Sequence, residues 1–167
     1  SPTQLKVLDG RQFSILSAIA QRIAPELPGL PGAAALNVAV AVDALMDRMH
    51  PADVAELLQA LMLIENPVAG LLFDGRPRAF TASSAEVQDA TLQGWRTSRL
   101  KVRRKAYKAV RGLCAAAYWG NPAVHSAMGY PGPPNPKTLY QSLHPTPPPR
   151  PAETGTPDTP DADSPDA

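Results

Sequence analysis

Apolar side chains recur along most of this chain at the three- and four-residue intervals of an α-helix, and no stretch of any length alternates as a half-buried strand does. Asp9 stands where an N-cap belongs, and Phe13, Leu16, Ile19, Ala20 and Ile23 follow at helical spacing until Pro25 stops the run. Residues 25–32 hold three prolines and two glycines, which predicts a turn-rich connection. A second helix follows, with Val38, Val42, Leu45 and Met49 on one face and Asp43, Asp47 and Arg48 turned away. Pro51 opens a third, whose stripe of Val54, Leu57, Leu58, Leu61 and Ile64 runs to Pro67, with Asp53 and Glu56 placed to favour its N-terminal end. Residues 68–73 add a short helical turn, and a loop follows around Asp74 and Gly75. Ser83, with Glu86 three positions on, predicts a capped fourth helix that runs through Trp95.

The longest predicted helix covers residues 99–118. At 100° per residue, Trp95, Val102, Ala106, Val110, Leu113 and Ala117 share an apolar face, and Lys101, Arg104, Lys105, Lys108 and Arg111 share the opposite, solvated one. Arg96, Arg99 and Arg103 fall at the edge of the apolar face, where an arginine either snorkels outward or finds an acceptor. Asn121 then caps a short helix with Pro122 in first position, and Gly129 suits the left-handed residue that ends it. Four of the nine aromatics, Tyr118, Trp119, Tyr130 and Tyr140, fall in the 23 residues around this short helix, which marks a packing centre or a docking surface. The fold class is therefore all-α: a small helical domain of about five to six helices over residues 1–143, then a Pro/Thr/Asp-rich tail, 144–167, that is disordered or extended along a partner.

Composition narrows the chemistry. Sixteen basic and fifteen acidic residues nearly balance, yet eight bases crowd between Arg96 and Arg111 and five acids lie in the tail. The basic helix 96–111 makes a nucleic-acid-binding helical module, gripping phosphates, the alternative reading; the near-zero net charge and the acidic tail oppose it, and no nucleic-acid partner is expected. One cysteine, Cys114, excludes an intrachain disulfide and any multi-cysteine metal site. Flanked by Leu113 and alanines, it reads as a buried inert thiol, or else as a bridge between subunits. His50, His125 and His144 form no metal-binding or catalytic spacing, and no glycine-rich phosphate loop occurs, so no catalytic, cofactor-binding or metal-ligating residue is assigned. No apolar run approaches the roughly 20 residues of a membrane span.

Three stretches, Arg22 to Ala33, Trp95 to Tyr107 and AYWGNP with GYPGPP, together resemble the gluconate 2-dehydrogenase subunit 3 family. Arg22-Ile23-Ala24-Pro25 with Pro31-Gly32-Ala33 looks like its helix end, proline loop and entry into the second helix. Trp95, Ser98-Arg99 and Arg104-Lys105-Ala106-Tyr107 are similar to its arginine-rich helix, and AYWGNP followed by GYPGPP (117–134) resembles its ending. The resemblance spans most of residues 9–136. It implies a non-catalytic small subunit bound to a large FAD-carrying subunit of the GMC class, which oxidises a sugar or alcohol, often beside a multihaem cytochrome c carrying haem. It also implies a periplasmic setting reached by twin-arginine export, with the small subunit as escort; no such signal lies in the sequence, which opens on Ser1. Aromatic and arginine side chains dominate interface energetics, so the expected partner contact is Trp95, Arg99, Arg103, Tyr107, Trp119, Tyr130, Pro131 and Tyr140, with Cys114 as the candidate intersubunit disulfide.

Overall fold

A computed structural model describes residues 4–75 and 77–131 of the chain. They form seven helices: α1 (Gly10–Ile23), α2 (Val38–Met46), α3 (Pro51–Glu65), α4 (Pro67–Asp74), α5 (Ala85–Thr97), α6 (Lys101–Trp119) and α7 (Pro122–Ala127). Among the described residues there is no strand, only an isolated bridge between Leu27 and Leu30. The all-α expectation holds. The extra helix is α4, expected as a single turn. Asn66 makes it a helix by accepting from the amides of Val68 (2.9 Å) and Ala69 (3.4 Å), with Pro67 in the first position.

Local signals set most helix ends. Asp9 and Gln12 form a reciprocal capping box on α1, and His50 Nδ1 accepts from the Ala52 amide at the head of α3. Two boundaries differ from expectation. The N-cap of α5 is Ser84, one residue later than Ser83, whose hydroxyl donates instead to the Ala79 carbonyl at 2.9 Å. Helix α2 ends at Met46, and Met49 lies in the turn beyond it.

Helix α6 is the centre, packing against α1, α2, α3 and α5, while α7 folds onto its C-terminal end. Its buried residues are Arg103, Val110, Cys114 and Tyr118, against Ile15, Leu16 and Ile19 of α1 and Val38, Val42 and Met46 of α2 in one core. The buried face is thus turned from the expected one, and Val102 is 62% exposed. The inward-facing arginine is accommodated at the α5–α6 corner. There the Arg103 guanidinium carbon sits 4.8 Å from the centroid of the buried Trp95 ring, an aromatic face that tolerates a cation where an aliphatic one would not. At the other end of α6, the Tyr118 hydroxyl donates to the Pro31 carbonyl at 2.9 Å and ties the helix to the proline loop. That loop is tight: Leu27 and Leu30 exchange backbone hydrogen bonds, and a Cβ at Gly32 would stand 2.8 Å from the Glu26 nitrogen, so only glycine fits.

Two buried carboxylates close the structure where helices cannot. Asp43, expected to face away from the core, is 2% exposed, and it accepts from the amides of Lys6 (2.7 Å), Val7 (3.0 Å) and Leu8 (2.8 Å). Glu65 accepts from both the amide (2.9 Å) and the hydroxyl (2.6 Å) of Thr81, and Gln88 donates to the Phe80 carbonyl, which holds Phe80 in the core. On the outside, Arg22 grips Asp89 with two bonds of 2.8 and 2.9 Å and links α1 to α5.

These arrangements make two predictions. Burial pushes the Asp43 carboxyl upward, but the amides of Leu8, Lys6 and Val7 and the Lys6 charge outweigh it and hold the group below its ordinary value. Its contribution to stability is therefore complete above the unfolded value of about 3.9 and is lost as pH falls through the lower folded value. Asp43→Ala should lower unfolding free energy by about 3 kcal/mol at pH 7, with the deficit shrinking in acid; urea titrations at several pH values measure both. Cys114 is 1% exposed and its thiol is pushed up to about 12 by burial. At pH 8 its thiolate fraction then falls roughly a thousandfold below that of a free cysteine. A thiol reagent should label it only after denaturation; fast labelling of the native chain would show that α6 is not packed in this way.

Candidate partner interface

The C-terminal end of α6 and helix α7 build an exposed aromatic surface. Asn121 Oδ1 accepts from the Ala123 amide at 2.9 Å, Pro122 occupies the first turn, and Val124 is fully buried beneath it. The helix ends as its sequence predicts. Gly129 takes φ +65°, its amide donates to the Ser126 carbonyl, and the Tyr130 amide donates to the His125 carbonyl, the paired bonds of a Schellman motif.

His125 braces this corner. Its Nε2 lies 2.6 Å from the Trp119 carbonyl, an acceptor only, so the proton sits on Nε2, and its ring meets Tyr130 edge-on at 5.3 Å. Trp119 stands edge-on to the buried Tyr118 at 5.1 Å. With backbone and rings fixed from below, Trp119, Met128 and Tyr130 remain 50%, 58% and 49% exposed. Pro131 is exposed beside them.

The residues expected at the contact divide into two groups. Trp119, Tyr130 and Pro131 come together at this end, and Arg99 is exposed at the corner between α5 and α6. Trp95 and Arg103 are core residues, 2% and 6% exposed, and Tyr107 is half-buried against the core. Trp95 and Arg103 pack together at the α5–α6 corner, at the opposite end of α6 from Trp119. Tyr140, like the tail, lies outside the described residues, and Cys114 points into the core, where no second chain reaches it without opening α6. Of the five bases on the outer face of α6, Arg104 donates to the carbonyls of Ser98 and Arg99, and Lys105 pairs with Glu56 at 2.6 Å.

Sequence reasoning missed a second apolar region. Val68, Leu71 and Leu72 of α4 are exposed, as are Leu100 and Val102 at the head of α6, about 25 Å along that helix from Trp119. The signal was available: residues 67–73 contain no polar side chain, and a helix that is apolar all round implies a cover on every side. Next to Val102, a groove of about 640 Å³ runs between α3 and α6. Leu57, Ala60, Leu63, Ala106 and Leu113 line it, with Asp53 and Glu56 on one wall and Lys105 and Lys108 on the other.

Among the described residues no three His, Cys, Asp or Glu side chains gather as metal ligands, and no helix is long and apolar enough to cross a membrane. No curated protein and no solved structure matches the chain. The sequence profile described as gluconate 2-dehydrogenase subunit 3 does match, over residues 10–132, a span that takes in all seven helices, the braced aromatic end and the groove. The chain therefore belongs to the gluconate 2-dehydrogenase subunit 3 family.

Proposed function

We propose that this chain is the non-catalytic small subunit of a periplasmic dehydrogenase complex, bound to a large FAD-carrying subunit of the GMC class. The complex oxidises a sugar or alcohol and passes electrons to a cytochrome c that carries haem. The small subunit stabilises the flavoprotein and escorts it through twin-arginine export. Family membership supports the assembly. The observation that carries the contact is the trio Trp119, Met128 and Tyr130, about half exposed on a backbone fixed by His125 and the Gly129 ending. Large aromatic side chains that are already ordered lose little freedom on docking, which is how a few residues come to dominate an interface.

In this reading Trp119, Tyr130 and Pro131 make the primary contact, and Arg99 adds a charged edge. Trp95 and Arg103 hold the α5–α6 corner at the other end of α6. Tyr140 belongs to the same proposed contact. The subunit's effect on the flavoprotein is then thermodynamic: a partner that binds only the folded state adds stability in proportion to the logarithm of its concentration over Kd.

A pull-down of the full chain from its native cell, with a visible spectrum and mass identification of what accompanies it, tests the reading. A large protein with flavin absorption should be retained. Trp119→Ala should weaken that association by about 2 kcal/mol, some thirtyfold in Kd, with unchanged helicity by circular dichroism. A colourless chain that retains no flavoprotein would sink the assignment.

A further inference from the structure

The groove between α3 and α6 is a second surface whose chemistry identifies its occupant. Its floor is apolar, and Ala60, Ala106, Ala109 and Gly112 let another backbone approach closely. Two adjacent helices that present one apolar seam to solvent are half of a four-helix bundle. The walls carry opposite charge, Asp53 and Glu56 on α3 against Lys105 and Lys108 on α6. Asp53 and Lys108 have no ion-pair partner among the described residues, and the pair that does form, Lys105 with Glu56, is well exposed at 71% and 62%.

A groove with one acidic and one basic wall is complementary to itself. A two-fold axis running along the seam lays α3 of one copy over α6 of the other, so each acidic wall meets a basic wall and both floors are covered. It keeps residues at the same level, so Glu56, already level with Lys105 in its own chain, also meets Lys105 of the second copy. A partner with two walls of one sign gains no such match. We propose that this face is a homodimer interface, in which α3 and α6 of two copies close a four-helix bundle. It leaves the Trp119 end uncovered, so self-association and binding of a catalytic subunit are compatible.

Sedimentation equilibrium on the purified full chain, without any other subunit, tests this. The mass should rise from 17.7 kDa to twice that value, with a midpoint between about 1 and 100 μM for an interface without optimised aromatic anchors. Ala109 is exposed on the seam, so Ala109→Glu should keep the helicity and give a monomer throughout. Glu56→Lys and Lys105→Glu should each weaken self-association about tenfold, because symmetry counts every like-charge contact twice. Mixed together, the two variants should form a heterodimer at least as tight as the parent, since each supplies the charge the other lacks across the seam. A monomer at 200 μM (about twice the upper midpoint), an Ala109→Glu chain that still dimerises, or a mixture that does not associate would each overturn the proposal. So would a monomeric chain whose Ala109→Glu variant loses the flavoprotein, which would give the groove to that partner. Because no catalytic subunit is present in the sedimentation experiment, a negative result there leaves the role of the Trp119 surface untouched.

Discussion

A helix that carries six bases in nineteen residues can sit at the centre of a small domain only if its apolar side is narrow and its charges are led outward or neutralised in place. Helix α6 meets that constraint along its whole length. Val110, Cys114 and Tyr118 supply the buried strip. Arg103, which falls on the same strip, is accommodated by the Trp95 ring. Arg104 is drawn to the carbonyls at the α5–α6 corner, where a cation complements unsatisfied acceptors. The remaining bases reach water. Helices α1, α2, α3 and α5 then find one continuous wall to pack against, and the position of each depends on which face α6 turns inward.

That dependence explains how much of the fold was legible in the sequence. Caps and stops are local, and Asp9, Pro51, Asn121, Pro122 and Gly129 announce their helices from within a few residues. The face of α6 is decided by the helices packed against it, α1, α2 and α3 among them, which lie far along the chain, and it turns Arg103 inward and leaves Val102 outside. Asp43 was harder still. A carboxylate on an amphipathic helix normally faces water, and nothing near it reveals that three amides from 35 to 37 residues upstream will converge on it. Glu65 is the same case, satisfied by Thr81 across a loop.

The surface was legible in a similar proportion. Aromatic density picked out Trp119 and Tyr130, which are exposed, but aromatic and arginine composition cannot tell an exposed side chain from a core one, and Trp95 and Arg103 are buried while Tyr107 is half-buried. The groove escaped notice for a different reason. It is made by two helices that the periodicity treats one at a time, and its charges look like ordinary solvated positions until α3 and α6 are laid side by side.

The Asp43 clasp also gives the domain a mechanical order. A pull on the N-terminal end meets Lys6, Val7 and Leu8 before it meets α1; their amides all donate to the Asp43 side chain, anchored in α2, and the Lys6 ammonium grips Asp47 beside it. The load is therefore delivered to the middle of the core, where Val42 and Met46 are packed, and not to the first turn of α1. With three amides sharing one carboxylate the segment does not peel away amide by amide. It holds until the carboxylate lets go, and then the capping box of α1 is the next thing to bear the strain.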